Sequence, residues 1–125
     1  MQDFKNLEVW NDAMAFTDAV YKATATFPKE ELYGITSQLR KAASSIAANI
    51  SEGAGRGTNG EFKQFLGIAM GSTKECETWL IISQKQGYLS PEVFGALNER
   101  LDIIGRKLNK FKQAVQGKIT SQQTQ

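Results

Sequence analysis

Apolar residues recur four and three positions apart through four segments of this 125-residue chain. This spacing places them along one side of an α-helix, so each segment is predicted to be an amphipathic helix. The predicted helices cover residues 7–26, 35–52, 59–86 and 91–116. Four helices joined by short connections predict an all-α fold, an antiparallel up-down four-helix bundle.

Local signals mark the predicted helix starts. Asn6 is the expected N-cap of the first helix. Thr58 and Glu61 form a capping box at the start of the third helix, where the threonine hydroxyl accepts a hydrogen bond from the first turn. Ser90 and Pro91 begin the fourth helix, because proline lacks only a donor that the first turn does not use.

Proline and glycine mark the predicted helix ends. Pro28 stops the first helix, since it has no N–H and restricts the residue before it. Gly53 is expected to close the second helix in the left-handed conformation. Gly87 and Gly117 are expected to end the third and fourth helices.

The second predicted helix contains a charge-free stretch, residues 42–51. Beside its apolar stripe runs a second line of polar residues, Gln38, Ser45, Asn49 and Glu52, which we assign to packing between helices or subunits. A surface helix needs only one apolar stripe, so this helix is predicted to be covered on several sides, which favours self-association. A second charge-free stretch, 64–73, would meet the first in an antiparallel hairpin. With Gly67 and Gly71 as close-packing positions, this level is either deep core or a subunit interface.

Composition favours one domain in a reducing compartment. A domain of residues 1–117 would bury about two-thirds of its unfolded surface, and the polar tail at 118–125 is expected to be disordered. The single Cys76 cannot form an internal disulfide. Neither a signal peptide nor an apolar run of about 20 residues is found, which favours a cytoplasmic protein without a membrane span. The chain has no histidine, so neither a metal centre nor a cofactor is expected.

Two local motifs have both an ordinary and a chemical interpretation. Lys41 with Ser44 or Ser45 could form a catalytic serine–lysine pair. The sequence shows no motif for an oxyanion hole, so close packing of the two serines between helices is the favoured interpretation. The loop GAGRG at 53–57 is either a tight helix–helix turn or, with Arg56, an anion site built from backbone donors. No enzymatic activity is predicted.

Positive charge is concentrated in the last predicted helix. Six basic residues and one acidic residue lie between Arg100 and Lys118, whereas the rest of the chain has nine basic and twelve acidic residues. Binding to a nucleic-acid backbone scales with the number of phosphates neutralised. The expected phosphate contacts are Arg56, Arg100, Arg106, Lys107, Lys110 and Lys112, followed by Arg40 and Lys41. Changing Lys107 and Lys110 to glutamate is expected to weaken RNA binding and to leave the assembly intact.

Several strings of the sequence resemble a known family. They are FKNLEVW at 4–10, the segment 27–56 with its block Asn49-Ile50-x-Glu52-Gly53-x-Gly55-Arg56, EFKQFLGIAMGSTKECETWL at 61–80, and GYL at 87–89. The chain resembles the four-helix-bundle proteins named after intervening sequences in 23S ribosomal RNA genes. The accessory variability protein of diversity-generating retroelements is similar to that family.

The resemblance implies a homo-oligomeric ring of bundles, pentameric in known cases, without enzymatic activity. In the retroelement relatives it implies a positively charged barrel that binds nucleic acid and a reverse transcriptase. The leading hypothesis is therefore a non-enzymatic accessory protein that binds an RNA or RNA/DNA backbone. The alternative is a protein-only scaffold or adaptor that does not bind nucleic acid.

Overall fold

The computed structural model describes residues 3–123, and within that range its regular structure is entirely helical. Four α-helices follow one another along the chain: α1 (Glu8–Thr24), α2 (Ile35–Ala54), α3 (Asn59–Lys85) and α4 (Pro91–Gln123). Short 3₁₀ turns at Phe4–Asn6 and Lys29–Glu31 precede α1 and α2. Each helix packs against its neighbours in sequence, and α1 also packs against α4. The predicted all-α class and its four helices are confirmed.

The four-three positions of all four helices meet in one hydrophobic core. The largest fully buried side chains are Phe16, Val20, Leu39, Ile46, Ile50, Leu66, Leu80, Ile104, Leu108 and Val115. Residues spaced in this way share one helix face, so every helix can direct a single stripe toward the bundle axis. The apolar periodicity therefore predicted the core.

Three of the predicted signals are confirmed, two for helix starts and one for a helix end. The Thr58 hydroxyl accepts a hydrogen bond from the Glu61 N–H at 3.2 Å, and Ser90 accepts from the Val93 N–H at 3.2 Å. Gly87 has a φ of 81°. At that turn the Tyr88 N–H donates to the Ser83 carbonyl at 2.9 Å, so the chain folds back over the end of α3.

The predicted N-cap of α1 is wrong. Asn6 lies in the 3₁₀ turn, whose N-cap is Asp3, and the Asp3 carboxylate accepts a hydrogen bond from the Lys5 N–H at 3.1 Å. Helix α1 begins one residue after Leu7, which has no side-chain oxygen to act as a cap. Asn11 instead donates to the carbonyls of Lys5 and Leu7 at 3.0 Å, which ties the turn to the helix.

The predicted role of Gly53 is also wrong. Gly53 is buried within α2, which continues to Ala54, and the left-handed glycine of this loop is Gly57, with a φ of 93°. A Cβ atom at Gly53 would lie 2.7 Å from the Phe65 Cβ and 3.0 Å from the Phe62 ring. Glycine is therefore needed here because α3 approaches closely, and not because the helix ends.

Helix α4 does not end at Gly117. The helix continues to Gln123, so the tail expected to be disordered is helical over 118–123, and the last two residues lie outside the described part. Val115 is buried and Ile119 packs half-buried against the core. These contacts stabilise the helical conformation of residues 116–123, a largely polar segment that contains Gly117, a weak helix former.

The two charge-free stretches meet as predicted. The Ser45 hydroxyl of α2 lies 2.9 Å from the Ser72 hydroxyl of α3, and the Asn49 amide donates to the Ser45 hydroxyl at 2.9 Å. Gly67 and Gly71 do not form this contact. A Cβ atom at Gly67 would meet only Lys112 of α4, and one at Gly71 would meet nothing within 4 Å.

Candidate nucleic-acid interface

Four of the eight basic residues expected to contact phosphate are held by other groups. Arg56 pairs with Glu52 at 3.1 Å, and Arg106 pairs with Asp102 at 2.9 Å. Both are exposed i, i+4 pairs, which contribute little to stability and can open to water or a ligand. Arg56 also lies over the Phe65 ring, with 5.0 Å from the guanidinium carbon to the ring centroid.

Lys107 joins α4 to α1. Its ammonium group contacts the Glu8 carboxylate and lies 2.6 Å from Asp12 Oδ2. Hydrogen bonds to Asp12 and then to Glu8 raise the pKa of Lys107 above its ordinary value. Since two carboxylates already occupy this ammonium, Lys107 has an intramolecular role and is a poor site for charge reversal.

Arg40 joins α1 to α2. Its Nε donates to the Thr24 hydroxyl at 2.8 Å, and its guanidinium carbon lies 4.6 Å from the centroid of the Tyr21 ring. The guanidinium also donates to the Tyr21 carbonyl at 3.5 Å. Arg40 therefore fixes a helix pair, in the same way as Lys107 does on the other side of α1.

Four predicted phosphate contacts have no carboxylate within salt-bridge distance among residues 3–123: Lys41, Arg100, Lys110 and Lys112. The fold does not bring these four side chains together. Lys41 lies exposed on α2, and Arg100 and Lys110 lie exposed on α4. Ten residues separate the two α4 positions, which is about 15 Å along the helix. Of these four residues, Lys112 is the one that lies in a groove between helices.

This groove is the candidate phosphate site. It lies between α3 and α4, has a volume of about 360 Å³, and is lined by Gly60, Lys63, Gln64, Gly67 and Lys112. We call these five residues the lysine groove. Both lysines are half-buried, and neither has a carboxylate partner in the described part of the chain. The lining contains no acidic residue, and the two glycines expose backbone, so a phosphate group can approach closely.

Lys63 is the residue of the lysine groove that sequence reasoning missed. Its signal was its register, because Lys63 and Lys112 lie 24 and 25 residues from Gly87 on either side of the α3–α4 turn. Residues equally far from the turn of an antiparallel hairpin lie at the same height. Charge counting along α4 alone could not show that α3 supplies the second lysine.

A second depression lies at the same end of the bundle, where α4 passes over the α2–α3 loop. It has a volume of about 450 Å³ and is lined by Gly53, Ala54, Gly57, Thr58, Asn59, Phe62, Phe111, Val115 and Lys118. We call it the loop crevice. Its lining includes no carboxylate, and Lys118 is its one charged side chain. The extension of α4 beyond Gly117 supplies Lys118. The charge of this crevice therefore depends on a part of α4 that the sequence did not predict to be helical.

A third depression, farther along α3 and α4, has mixed charge. It has a volume of about 440 Å³, and Lys74 and Arg106 line it together with Glu77 and Asp102. Balanced charges of both signs do not favour a polyanion. Of the three depressions, the lysine groove has the most positively charged lining, with two lysines and no carboxylate.

The residues assigned to packing have separate positions. Ser45 and Asn49 lie half-buried between α2 and α3, whereas Gln38 and Glu52 are exposed. Ser44 donates to the Lys41 carbonyl of its own helix at 3.1 Å, as serines in helices commonly do. Ser45 bonds to Ser72 and Asn49, and within residues 3–123 no hydrogen bond joins the Lys41 ammonium to either serine.

Cys76 and Tyr88 are the other perturbed groups. Burial, and secondarily Glu75, raises the pKa of the Cys76 thiol to about 12, so the thiol stays protonated and poorly nucleophilic. The Tyr88 hydroxyl donates to Glu31 at 3.0 Å, and this bond raises the Tyr88 pKa.

Within residues 3–123, no cluster of three or more potential ligands could hold a metal ion. No helix in that range is both long and apolar enough to cross a membrane.

The sequence identifies the family, and a solved structure shares the fold. Residues 5–110 match the model of the 23S rRNA-intervening sequence protein family, so the chain belongs to this family. No curated protein matches the sequence. A solved structure with the same fold is a protein of unknown function from the S23 ribosomal protein family of Bacteroides thetaiotaomicron, determined at 1.70 Å. The two share 22% sequence identity with a TM-score of 0.75, over 83% of this chain and 97% of that one. Neither description indicates an enzyme.

Proposed function

We propose that this chain is a non-enzymatic accessory protein that assembles into a ring and binds the phosphate backbone of nucleic acid in the lysine groove. The observation that supports the proposal is the pair Lys63 and Lys112, two unpaired ammonium groups in one groove without a carboxylate. Lysine contacts to phosphate release counterions and carry little sequence information. The expected ligand is therefore an RNA or RNA/DNA backbone of any sequence.

Self-association is supported by a second surface, which we call the α2–α3 outer face. It consists of Gln38, Ser45 and Asn49 of α2 with Phe65, Ile68 and Trp79 of α3. Ile68 is 46% exposed, and both Phe65 and Trp79 are half-buried. Large apolar side chains beside small uncharged ones are typical of a surface that is covered in an assembly.

Three further parts complete the proposal, two from the family resemblance and one, the location, from the composition. The ring contains five copies, a reverse transcriptase is the protein partner, as for the similar accessory protein of diversity-generating retroelements, and the location is cytoplasmic. Repetition around a ring would multiply the lysine groove, so a modest patch on one chain would become a band of positive charge. The alternative is a protein-only scaffold whose ring binds no nucleic acid.

The test is binding of the purified protein to an RNA hairpin and to duplex DNA over a salt series, with the mass in solution measured in the same buffer. The wild-type protein is expected to lose affinity steeply as salt rises. Lys63→Glu/Lys112→Glu is expected to lower the slope of log affinity against log salt by about 2, one for each lost phosphate contact.

The matched control is Lys29→Glu/Lys85→Glu, which reverses two exposed lysines at the opposite end of the bundle. This control changes the net charge equally and is expected to keep most of the affinity. Equal losses in both variants would show a general charge effect and reject the groove. A ring that binds neither ligand at low salt would favour the scaffold.

A further inference from the structure

The lysine groove and the loop crevice lie on opposite sides of the first turn of α3. Asn59 lines the crevice, and the next residue, Gly60, lines the groove. On α4, Phe111 lines the crevice and Lys112 lines the groove. Consecutive Cα atoms are about 3.8 Å apart, so the two depressions are adjacent and within reach of a single nucleotide.

The loop crevice differs from the groove in its chemistry. The rings of Phe62 and Phe111 line it, half-buried, with their centroids 5.1 Å apart and their planes at 73°. Val115 adds a buried apolar wall, and its volume of about 450 Å³ lies within the range of small-molecule pockets. Two aromatic rings and a valine beside polar groups, with no carboxylate, fit a flat, uncharged ring with a polar edge.

Polar atoms at the rim could orient such a ring. The Asn59 side-chain amide has no hydrogen-bond partner in the described structure, and it lies half-buried at the crevice. An amide offers both donors and an acceptor, as the edge of a nucleobase does. Aromatic side chains bind bases of every sequence through their flat faces.

We infer that the two depressions form one nucleotide site, in which an unpaired base enters the loop crevice and its backbone phosphates lie on the lysine groove. The inference rests on the proposed function and narrows its ligand to single-stranded nucleic acid. In a duplex the bases are stacked and paired, so only the lysine groove would be used.

The experiment compares a short single-stranded RNA with a duplex of the same length, at the same salt, by fluorescence anisotropy. The single strand carries one 2-aminopurine, whose emission reports contact of the base with an aromatic ring. The full-length protein is expected to bind the single strand about tenfold more tightly, the equivalent of one base–aromatic contact. The 2-aminopurine emission is expected to change on binding.

Asn59→Leu removes the rim amide and places a non-aromatic side chain in the crevice while leaving both lysines in place. It is expected to remove the single-strand preference and the 2-aminopurine response, while duplex affinity stays unchanged. Asn109→Leu, the same substitution in the mixed-charge depression, is the control and is expected to behave as wild type. Circular dichroism of each variant checks that the helices are intact.

Three results would overturn the inference. Equal affinity for single strand and duplex, with binding that still depends on Lys63 and Lys112, would reject the base site and keep the proposed function. Competition by inorganic phosphate as strong as by adenosine monophosphate would show that the crevice takes no base. Binding of neither nucleic acid at low salt would reject both proposals together.

Discussion

Gly53 shows how one residue sets the distance between two helices. It lies inside α2, where glycine costs about 1 kcal/mol relative to alanine. That cost is offset because Phe62 and Phe65 of α3 pack directly against its backbone. Gly71, on the outer side of α3, has no such neighbour. The same residue type therefore has opposite consequences at the two positions.

Gly53→Ala is expected to lower the free energy of unfolding by about 1–3 kcal/mol, because the new methyl group overlaps the Phe65 side chain. Gly71→Ala is the matched control and is expected to raise it by up to about 1 kcal/mol, since the added methyl group meets open space. Urea unfolding of both variants measures the difference. A Gly53→Ala protein as stable as wild type would mean that α3 can move away at no cost.

The Lys107 ion pairs predict an alkaline dependence of stability. The folded pKa of Lys107 lies above its ordinary value of 10.5, so the contribution of the pairs is complete below that value. It is lost as the pH rises through the folded pKa. The difference in unfolding midpoint between wild type and Lys107→Met is therefore expected to be constant near neutral pH and to shrink above pH 10.5.

Lys107→Arg provides the control, because arginine keeps its charge throughout this range. Its midpoint relative to Lys107→Met should stay constant as the pH rises. A wild-type curve parallel to the arginine curve would contradict the assignment. The same pairs revise the expected effect of Lys107→Glu, which would place a third carboxylate beside Glu8 and Asp12 and destabilise the bundle.

At the scale of the elements, α4 differs most from its predicted form. Its sequence has a polar end and a glycine at 117, which normally ends a helix. The helix continues because Ile119, beyond the predicted end, packs against the core one turn after the buried Val115. The extension supplies Lys118 to the loop crevice, so the end of this helix bears directly on the proposed site.

Gly117→Ala distinguishes the two possible ends of α4. If the helix continues, alanine replaces glycine in a helix interior with open space around it and raises the unfolding free energy by up to about 1 kcal/mol. If Gly117 instead took a left-handed conformation, alanine would lower the stability by about that amount. Gly87→Ala, at a φ of 81°, is the reference for such a loss. Thermal unfolding of the two variants decides between the signs.

At the scale of the whole molecule, the cations that join helices lie apart from the two lysines of the lysine groove. Lys107 and Arg40 hold α1 against its two neighbours, while Lys63 and Lys112 lie free where α3 meets α4. The six residues of the α2–α3 outer face carry no charge, and the Arg56–Glu52 ion pair lies beside Phe65 at its edge. The α2–α3 outer face thus supports the proposed contact with another copy, and on the α3–α4 side the lysine groove supports the proposed binding of a polyanion.

The assembly is expected to depend on the α2–α3 outer face. Ile68→Lys places a charge on this face and is expected to shift the mass in solution toward the monomer. Ile103→Lys, at an isoleucine of α4 with similar exposure, is the control and is expected to keep the wild-type mass. Light scattering at several concentrations measures both variants. Dissociation by the α4 variant alone would move the interface to the other side of the bundle.

The sequence by itself determined the class of fold, the four helices and the core. These features follow from local spacing, since positions four and three apart share a helix face whatever packs against them. The capping box at Thr58 and the turn at Gly87 were also readable, because their hydrogen bonds lie within a few residues. The family was readable from contiguous strings such as the block around Asn49.

Only the tertiary structure decided which charges are free and where α4 ends. The sequence could not show that Lys107 faces two carboxylates about 100 positions away, nor that Lys63 and Lys112 line the same groove. It could not show that Gly53 is required by two phenylalanines of the next helix. A local pattern fixes the conformation of a segment, whereas ion pairing and close approach depend on groups that only folding brings together.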